Sequence, residues 1–192
     1  MIKTLTPAKV RFMLVEERVL WMLVMVALSL TGVRAQSPTA DEYQVKAAFL
    51  YNFAKFVEWS PSSFATASAP IRICVLGRNP FGRDLSEVTD GKTINGRKFL
   101  VDQVADLQLA RSCHIVFVSS SEKGQLKRIV EGLQGTDALT VGDSKAFIEQ
   151  GGMINFVLEN DRVQFEVNHK ATEMAGIKVS SKLLNVAKRV IE

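Results

Sequence analysis

Two cysteines and two histidines are all that 192 residues offer as thiol or imidazole chemistry, and their places matter. Cys74 lies in the strand-like run Ile71–Leu76 and Cys113 just before another, His114–Val118. Neither His114 nor His169 stands at ligand spacing from the cysteines, so the pattern does not describe a metal site. A disulfide or two buried free thiols remain, and the compartment decides between them. Gly142-Asp143-Ser144 has the look of a nucleophile turn, yet neither histidine has an acid partner nearby in sequence, so a cap and turn is the simpler reading. Gly77 to Gly82 places glycines five apart without the Lys-Ser/Thr that a phosphate loop needs. No catalytic residue, cofactor or metal follows from these patterns.

The elements that carry these residues alternate. Asp41 to Ser60, DEYQVKAAFLYNFAKFVEWS, reads as a helix whose apolar residues Tyr43, Val45, Ala47–Leu50, Phe53, Ala54, Phe56 and Val57 cover most of its circumference. Gln44, Tyr51 and Lys55 form a narrow polar stripe, Lys46 stands alone on another side, and Asn52 falls inside the apolar arc. Thr39 and Glu42 make a capping box and Pro61 stops the helix. Such a helix needs covering on more than one side. A strand follows at 71–76, then Asn79-Pro80 opening a helix with Phe81, Leu85 and Val88 on one face. Asn95-Gly96 marks a tight hairpin, 114–118 a buried strand, and Ser119-x-x-Glu122 a helix with Leu126, Ile129, Val130 and Leu133 in register. Strand 138–141, a short helix 145–150, strands 153–158 and 162–167 joined by Glu159-Asn160-Asp161, and a short helix capped by Asn168 come next. A final helix over Ser181–Ile191 turns Leu183, Val186, Ala187 and Val190 to one side. The fold class is therefore α/β: a single domain with a mostly parallel sheet flanked by helices and a C-terminal antiparallel hairpin.

The N-terminus sets the compartment. Lys3, Lys9, Arg11 and Arg18 precede the uncharged run Val19–Leu30, which is short for a bilayer span, and Val33-Arg34-Ala35 offers a cleavage site. Residues 1–35 are expected to be a cleaved signal peptide and 36–192 one domain in the periplasm, with Ser60–Pro70 as a surface linker. Of 24 basic and 20 acidic residues, five and two lie in that leader, leaving 19 against 18 in the mature chain. No basic stripe argues for nucleic acid. In an oxidising periplasm, Cys74 and Cys113 favour a disulfide over free thiols.

The run EYQVKAAFLYNFAKFVEW resembles the leading motif of the YfiR-like periplasmic proteins. Ile73–Gly77 with Asn79–Gly82, Gly91-Lys92 with Ile94–Arg97, Cys113–Ser121, Leu139–Ser144, Gly151–Phe156 and Ile177–Leu184 continue the likeness in order. The resemblance implies an exported, non-enzymatic regulator that dimerises and holds down an inner-membrane diguanylate cyclase through its periplasmic sensor domain, lowering cyclic-di-GMP and biofilm output. It also implies an outer-membrane lipoprotein that relieves the inhibition. The Cys74/Cys113 spacing fits the family, whereas the second cysteine pair that some members carry is missing. For the partner surface the sequence points to Tyr51 and Lys55 on the first helix and Leu184 and Ile191 on the last. The alternative is a periplasmic binding protein for a small solute or anion. Its ligand would sit beyond the strand ends, on Asn79, Ser119, Ser120, Ser121, Asp143 and Ser144.

Overall fold

A computed structural model describes residues 38–192; the expected signal peptide and its cleavage site lie outside the described residues. Helix α1 (Pro38–Phe56) runs into β1 (Val57–Glu58), and a 3₁₀ turn at Pro61–Ser63 opens the linker. Then follow β2 (Ile71–Leu76), α2 (Asp84–Thr89), β3 (Thr93–Ile94), β4 (Arg97–Val104), α3 (Leu107–Ala110) and β5 (Ile115–Val118). A 3₁₀ segment at Ser120–Gln125 leads to α4 (Leu126–Leu133), β6 (Leu139–Gly142), β7 (Ile154–Glu159) and β8 (Arg162–Asn168). The chain ends with α5 (His169–Met174), β9 (Lys178–Val179), α6 (Ser181–Val186) and β10 (Arg189–Ile191).

Eight strands form one sheet in the order β10-β8-β7-β6-β5-β2-β4-β3, and β1 pairs separately with β9. Strands β4, β2, β5, β6 and β7 are parallel; β8 returns antiparallel to β7. The α/β architecture with its β7–β8 hairpin is the one the alternating pattern predicts. The chain places β4 on one side of β2 and β5 on the other, so the direction of winding reverses between β2 and β5.

Alternation along each strand sorts the apolar side chains into two cores. Ile73, Val75, Ile115, Phe117, Leu139, Val141, Phe156 and Phe165 face α1, where Leu50 and Phe53 meet them. Cys74, Leu76, Val116 and Val118 face away, under Leu126, Ile129, Val130 and Leu133 of α4. Phe53 stacks on Phe156 at 5.6 Å between centroids and meets Phe165 edge-on at 5.1 Å. At the tight hairpin Asn95 and Gly96 both take positive φ (51° and 77°), the pair of left-handed residues that a two-residue turn requires.

Several expectations change. The helix expected to open at Asn79-Pro80 begins only at Asp84, because Asn79 closes a local turn onto the Phe81 N–H and the Gly82 carbonyl instead. The last helix stops at Val186, which is 68% exposed, and the chain turns extended at Ala187 to form β10 parallel to β8. A helix-period reading of Leu183, Val186 and Val190 is overridden by pairing. Lys188 donates its backbone N–H to the Phe165 carbonyl at 2.8 Å, and the Arg189 guanidinium grips Glu166 with two contacts of 3.0 Å. Residues 145–150 make turns, not a helix, and Phe147 plugs the second core where a Cβ on Gly142 or Gly152 would stand. On α1, Val45 is exposed and Lys46 is buried, and Asn52 is only half-buried. The helix already includes Pro38, ahead of the expected Thr39 cap, and its last turn opens at Val57 into strand pairing with Val179, before Pro61.

Candidate functional site

The carboxyl ends of β2, β5 and β6 bear the residues expected to meet a ligand. After β2, Gly77 turns with φ 93°, and a Cβ there would run into the Ser121 hydroxyl and the Glu122 side chain. Ser121 Oγ accepts from the Arg78 backbone N–H at 3.0 Å and donates to Glu122 Oε1 at 2.9 Å. Ser119 Oγ accepts from the Ser121 N–H. Asn79 accepts from the Phe81 N–H at 2.9 Å and gives its amide to the Gly82 carbonyl at 3.2 Å. Three of the six ligand candidates, Asn79, Ser119 and Ser121, are therefore engaged by backbone groups of these loops.

The other end of the row is different. Asp143, just past β6, receives the Tyr43 hydroxyl at 2.7 Å and the Lys46 ammonium at 3.0 Å on one oxygen, Oδ2. Lys46 also reaches Glu42 at 2.6 Å. The Lys46 and Asp143 side chains are 5% and 4% exposed, so this ion pair lies almost wholly out of water. The ammonium sits 4.3 Å from the Tyr43 ring centroid. Burial, then the neighbouring Asp143, pushes the Tyr43 phenol well above its ordinary range, while the Ser120 hydroxyl opposes them. Asp143 Oδ1 and Ser144 Oγ are buried without a partner among the described residues, as is Asn155 Oδ1 on the strand beside them. The cluster clamps the N-terminal half of α1 onto the strand ends. Sequence reasoning missed it because its halves stand 97 residues apart. The one signal available was a lysine on a helix with almost no solvated face.

The histidines serve other places. His169 lies at the start of α5, 3.4 Å from Glu192. His114 is packed between Phe64 and Trp59. Its Nδ1 accepts the Arg72 N–H at 3.0 Å and its Nε2 lies 3.2 Å from the Ser63 carbonyl, so the neutral ring with its proton on Nε2 fits both partners. Burial, then the charges of Arg97 and Arg72, holds its pKa below the ordinary 6.5. The unfolded chain thus takes up the proton first. Stability from this ring is complete above about pH 6.5 and declines as pH falls toward the depressed folded value. Melting temperatures between pH 8 and 5 should fall accordingly, and His114→Asn should flatten that slope.

Cys74 and Cys113 form a disulfide, with Cα atoms 6.0 Å apart. Among the described residues no group of three or more His, Cys, Asp or Glu could hold a metal ion, and no helix is long and apolar enough to cross a membrane.

The residues singled out for partner contact fall in two places. Tyr51 packs edge-on against Phe99 of β4 at 5.4 Å, with the ammonium groups of Lys55 and Lys92 4.3 Å and 4.6 Å from its ring centroid. Leu184 is half-buried against the main core, and Ile191 pairs with Asn168 at the far edge of the sheet. Tyr51 and Lys55 lie toward the β4 side of α1, and Ile191 lies on β10, the strand at the other end of the sheet order.

A family model described as YfiR/HmsC-like matches residues 43–188, from the tyrosine of the buried cluster to the last turn before β10. The chain belongs to the YfiR/HmsC-like family. At the level of that family it is a periplasmic regulator. No curated protein matches the chain significantly. Among solved structures it is similar to an ABC domain from Streptococcus pneumonia in complex with L-Trp, with a TM-score of 0.52, 12% identity and 76% of this chain covered. It is similar also to a conserved domain protein from Vibrio cholerae, with a TM-score of 0.52, 10% identity and 77% of this chain covered. The chain spans 60% of the length of each of these two proteins. At such identities the likeness concerns the α/β fold alone.

Proposed function

We propose that residues 36–192, exported behind a signal peptide over 1–35, repress an inner-membrane diguanylate cyclase by binding its periplasmic sensor domain. The regulator works as a homodimer without catalysing a reaction, lowers cyclic-di-GMP and biofilm output, and yields to an outer-membrane lipoprotein. The family match over 43–188 carries this reading. Tyr51 and Lys55 support it as a half-exposed aromatic rimmed by cations, and Leu184 and Ile191 as half-buried apolar residues of the C-terminal segment.

Affinity purification of the tagged protein from solubilised membranes tests it. Recovery of a membrane protein with a cytoplasmic cyclase domain is the expected result; recovery of the protein alone, under conditions that preserve envelope complexes, overturns it. Lys55→Glu, at an exposed position, should reduce that recovery about tenfold, equivalent to 1.4 kcal/mol of binding free energy. Leu184→Asp is a less clean probe, because Leu184 touches the core.

The solute-binding reading draws on the buried, unpartnered Asp143 Oδ1 and Ser144 Oγ. With Glu42 and Asp143 against Lys46, the cluster suits a ligand that donates hydrogen bonds better than an anion. A dose-dependent rise in melting temperature with small amines or polyols, absent in Ser144→Ala, is the result that would favour it.

A further inference from the structure

The edge of the sheet beside Tyr51 is open along most of β4. Strand β3 covers only Arg97 and Lys98, and β2 pairs with Phe99 to Val104 from the other side. The Gly77 N–H donates to the Val104 carbonyl at 3.1 Å. Alternation in a parallel ladder then turns the backbone N–H and C=O of Val101 and Gln103 outward, and among the described residues no strand takes them. Beside this edge lies a groove of about 400 Å³, lined by Asp90, Lys92, Lys98, Phe99, Leu100 and Val101. Leu100 is 43% exposed on the strand itself.

The geometry points to strand addition: the β4 edge receives an extended segment of a partner protein, rich in acidic residues that alternate with apolar ones. The backbone supplies a row of hydrogen-bonding groups that an extended chain can pair with residue by residue, which a helix, its own backbone already bonded, does not. The side chains supply the sign. Lys92 and Lys98 line the groove against Asp90, and Lys55 stands behind them on the Tyr51 ring, three cations against one anion. A second copy is the weaker occupant, because antiparallel pairing of two β4 edges would bring the lysine-rich groove of each against its like. Leu100 provides the apolar contact on one face of the sheet; Phe99 lies on the opposite face against Tyr51, beside Lys92 and Lys55, where the acidic residues of the incoming segment would stand. The inference deepens the regulator reading by giving its partner a chemistry, and rests on that reading for the partner's being a protein.

The test uses the exported protein, ¹⁵N-labelled, with a heptapeptide of alternating glutamate and valine and its lysine–valine counterpart. The expected result is binding of the glutamate peptide, amide shifts concentrated at Phe99–Val104, and at least tenfold weaker binding of the lysine peptide. Lys92→Glu with Lys98→Glu should reverse that preference. Val101→Pro removes one outward donor at an edge position that tolerates proline, and should abolish binding. If that variant does not fold, a glutamate peptide N-methylated at alternate residues removes the same hydrogen bonds from the other side. Equal binding of the two peptides, no binding at millimolar peptide, or shifts confined to another surface would overturn the inference. So would concentration-dependent shifts at this edge without peptide, which would assign it to a second copy. Membrane purification separates the two readings. A cyclase recovered equally by the native protein and by the Lys92→Glu/Lys98→Glu variant overturns the edge and leaves the regulator standing. Peptide binding at the edge with no cyclase recovered overturns the regulator and leaves the edge.

Discussion

Replacing Lys46 with methionine should destabilise the protein by about 3–5 kcal/mol, a large share of the total for a domain of this size. The side chain itself is not the reason, since methionine would fill most of the same space. What remains is Asp143, with one oxygen that has lost its ammonium and another that had no partner to begin with. Glu42 also loses its contact, but at 21% exposure it can turn to water, whereas Asp143 cannot. Asp143→Leu alone should be damaging for the mirror-image reason, with Lys46 left to Glu42. Combining Lys46→Met with Asp143→Leu should restore most of the loss, because an apolar pair removes the charge burial along with the charge attraction. Urea denaturation of the wild type, both single variants and the double variant gives the four corners of the cycle. Coupling below about 0.5 kcal/mol would show that the pair is hydrated in solution and that α1 is held by its apolar face alone. Strong coupling would make Lys46 the residue that fixes the rotation of α1, and with it the outward placement of Tyr51 and Lys55.

That rotation shows what a sequence can and cannot disclose here. Strands β2, β5 and β6 were legible because a short apolar run between turn residues has few other uses in a chain that alternates with helices. The β3–β4 and β7–β8 turns were legible because Asn95-Gly96 and Asn160-Asp161 are residue pairs that accept the positive φ of a tight turn, and both pairs take it. Helix α1 was legible as a helix but not in its orientation. Hydrophobicity counted Val45 as inside and Lys46 as outside, whereas Asp143, supplied by a strand end far along the chain, reverses them. The C-terminus failed for a related reason. Leu183, Val186 and Val190 fit a helical period, but the free edge of β8 offered Arg189 a carboxylate and Lys188 a carbonyl. Long-range pairing outcompeted a local pattern of modest strength. The ligand candidates follow from the general rule for strand ends, and these residues do stand just past β2, β5 and β6. The rule could not say that Ser119, Ser121 and Asn79 would be engaged by their own loops, since that depends on backbone N–H groups that the sequence does not rank.

Removing the disulfide by Cys74→Ala with Cys113→Ala should lower the unfolding free energy by about 4 kcal/mol in the chain-entropy model, and the melting temperature by on the order of 10 °C. The bond spans 39 residues, and the loop it closes contains α2, β3, β4 and α3, which make up one whole wing of the sheet. In the reduced unfolded chain that wing is free to separate from the centre; with the bond intact it is not. Burial adds a kinetic consequence. Cys74 is wholly covered in β2, between β5 and β4, and Cys113 is 4% exposed under α4, so a thiolate reductant has no path to either sulfur in the folded state. Native protein in millimolar dithiothreitol should therefore keep the bond for as long as it stays folded, and should lose it rapidly once urea passes the unfolding midpoint. Thiol alkylation followed by mass measurement at each urea concentration reads this directly. If reduction proceeds at the same rate with and without urea, the bond is open to solvent and available as a redox sensor. If reduction follows unfolding, the bridge is a structural fastener. A redox signal would then have to act elsewhere in the assembly, since the bridge takes up both of the chain's cysteines.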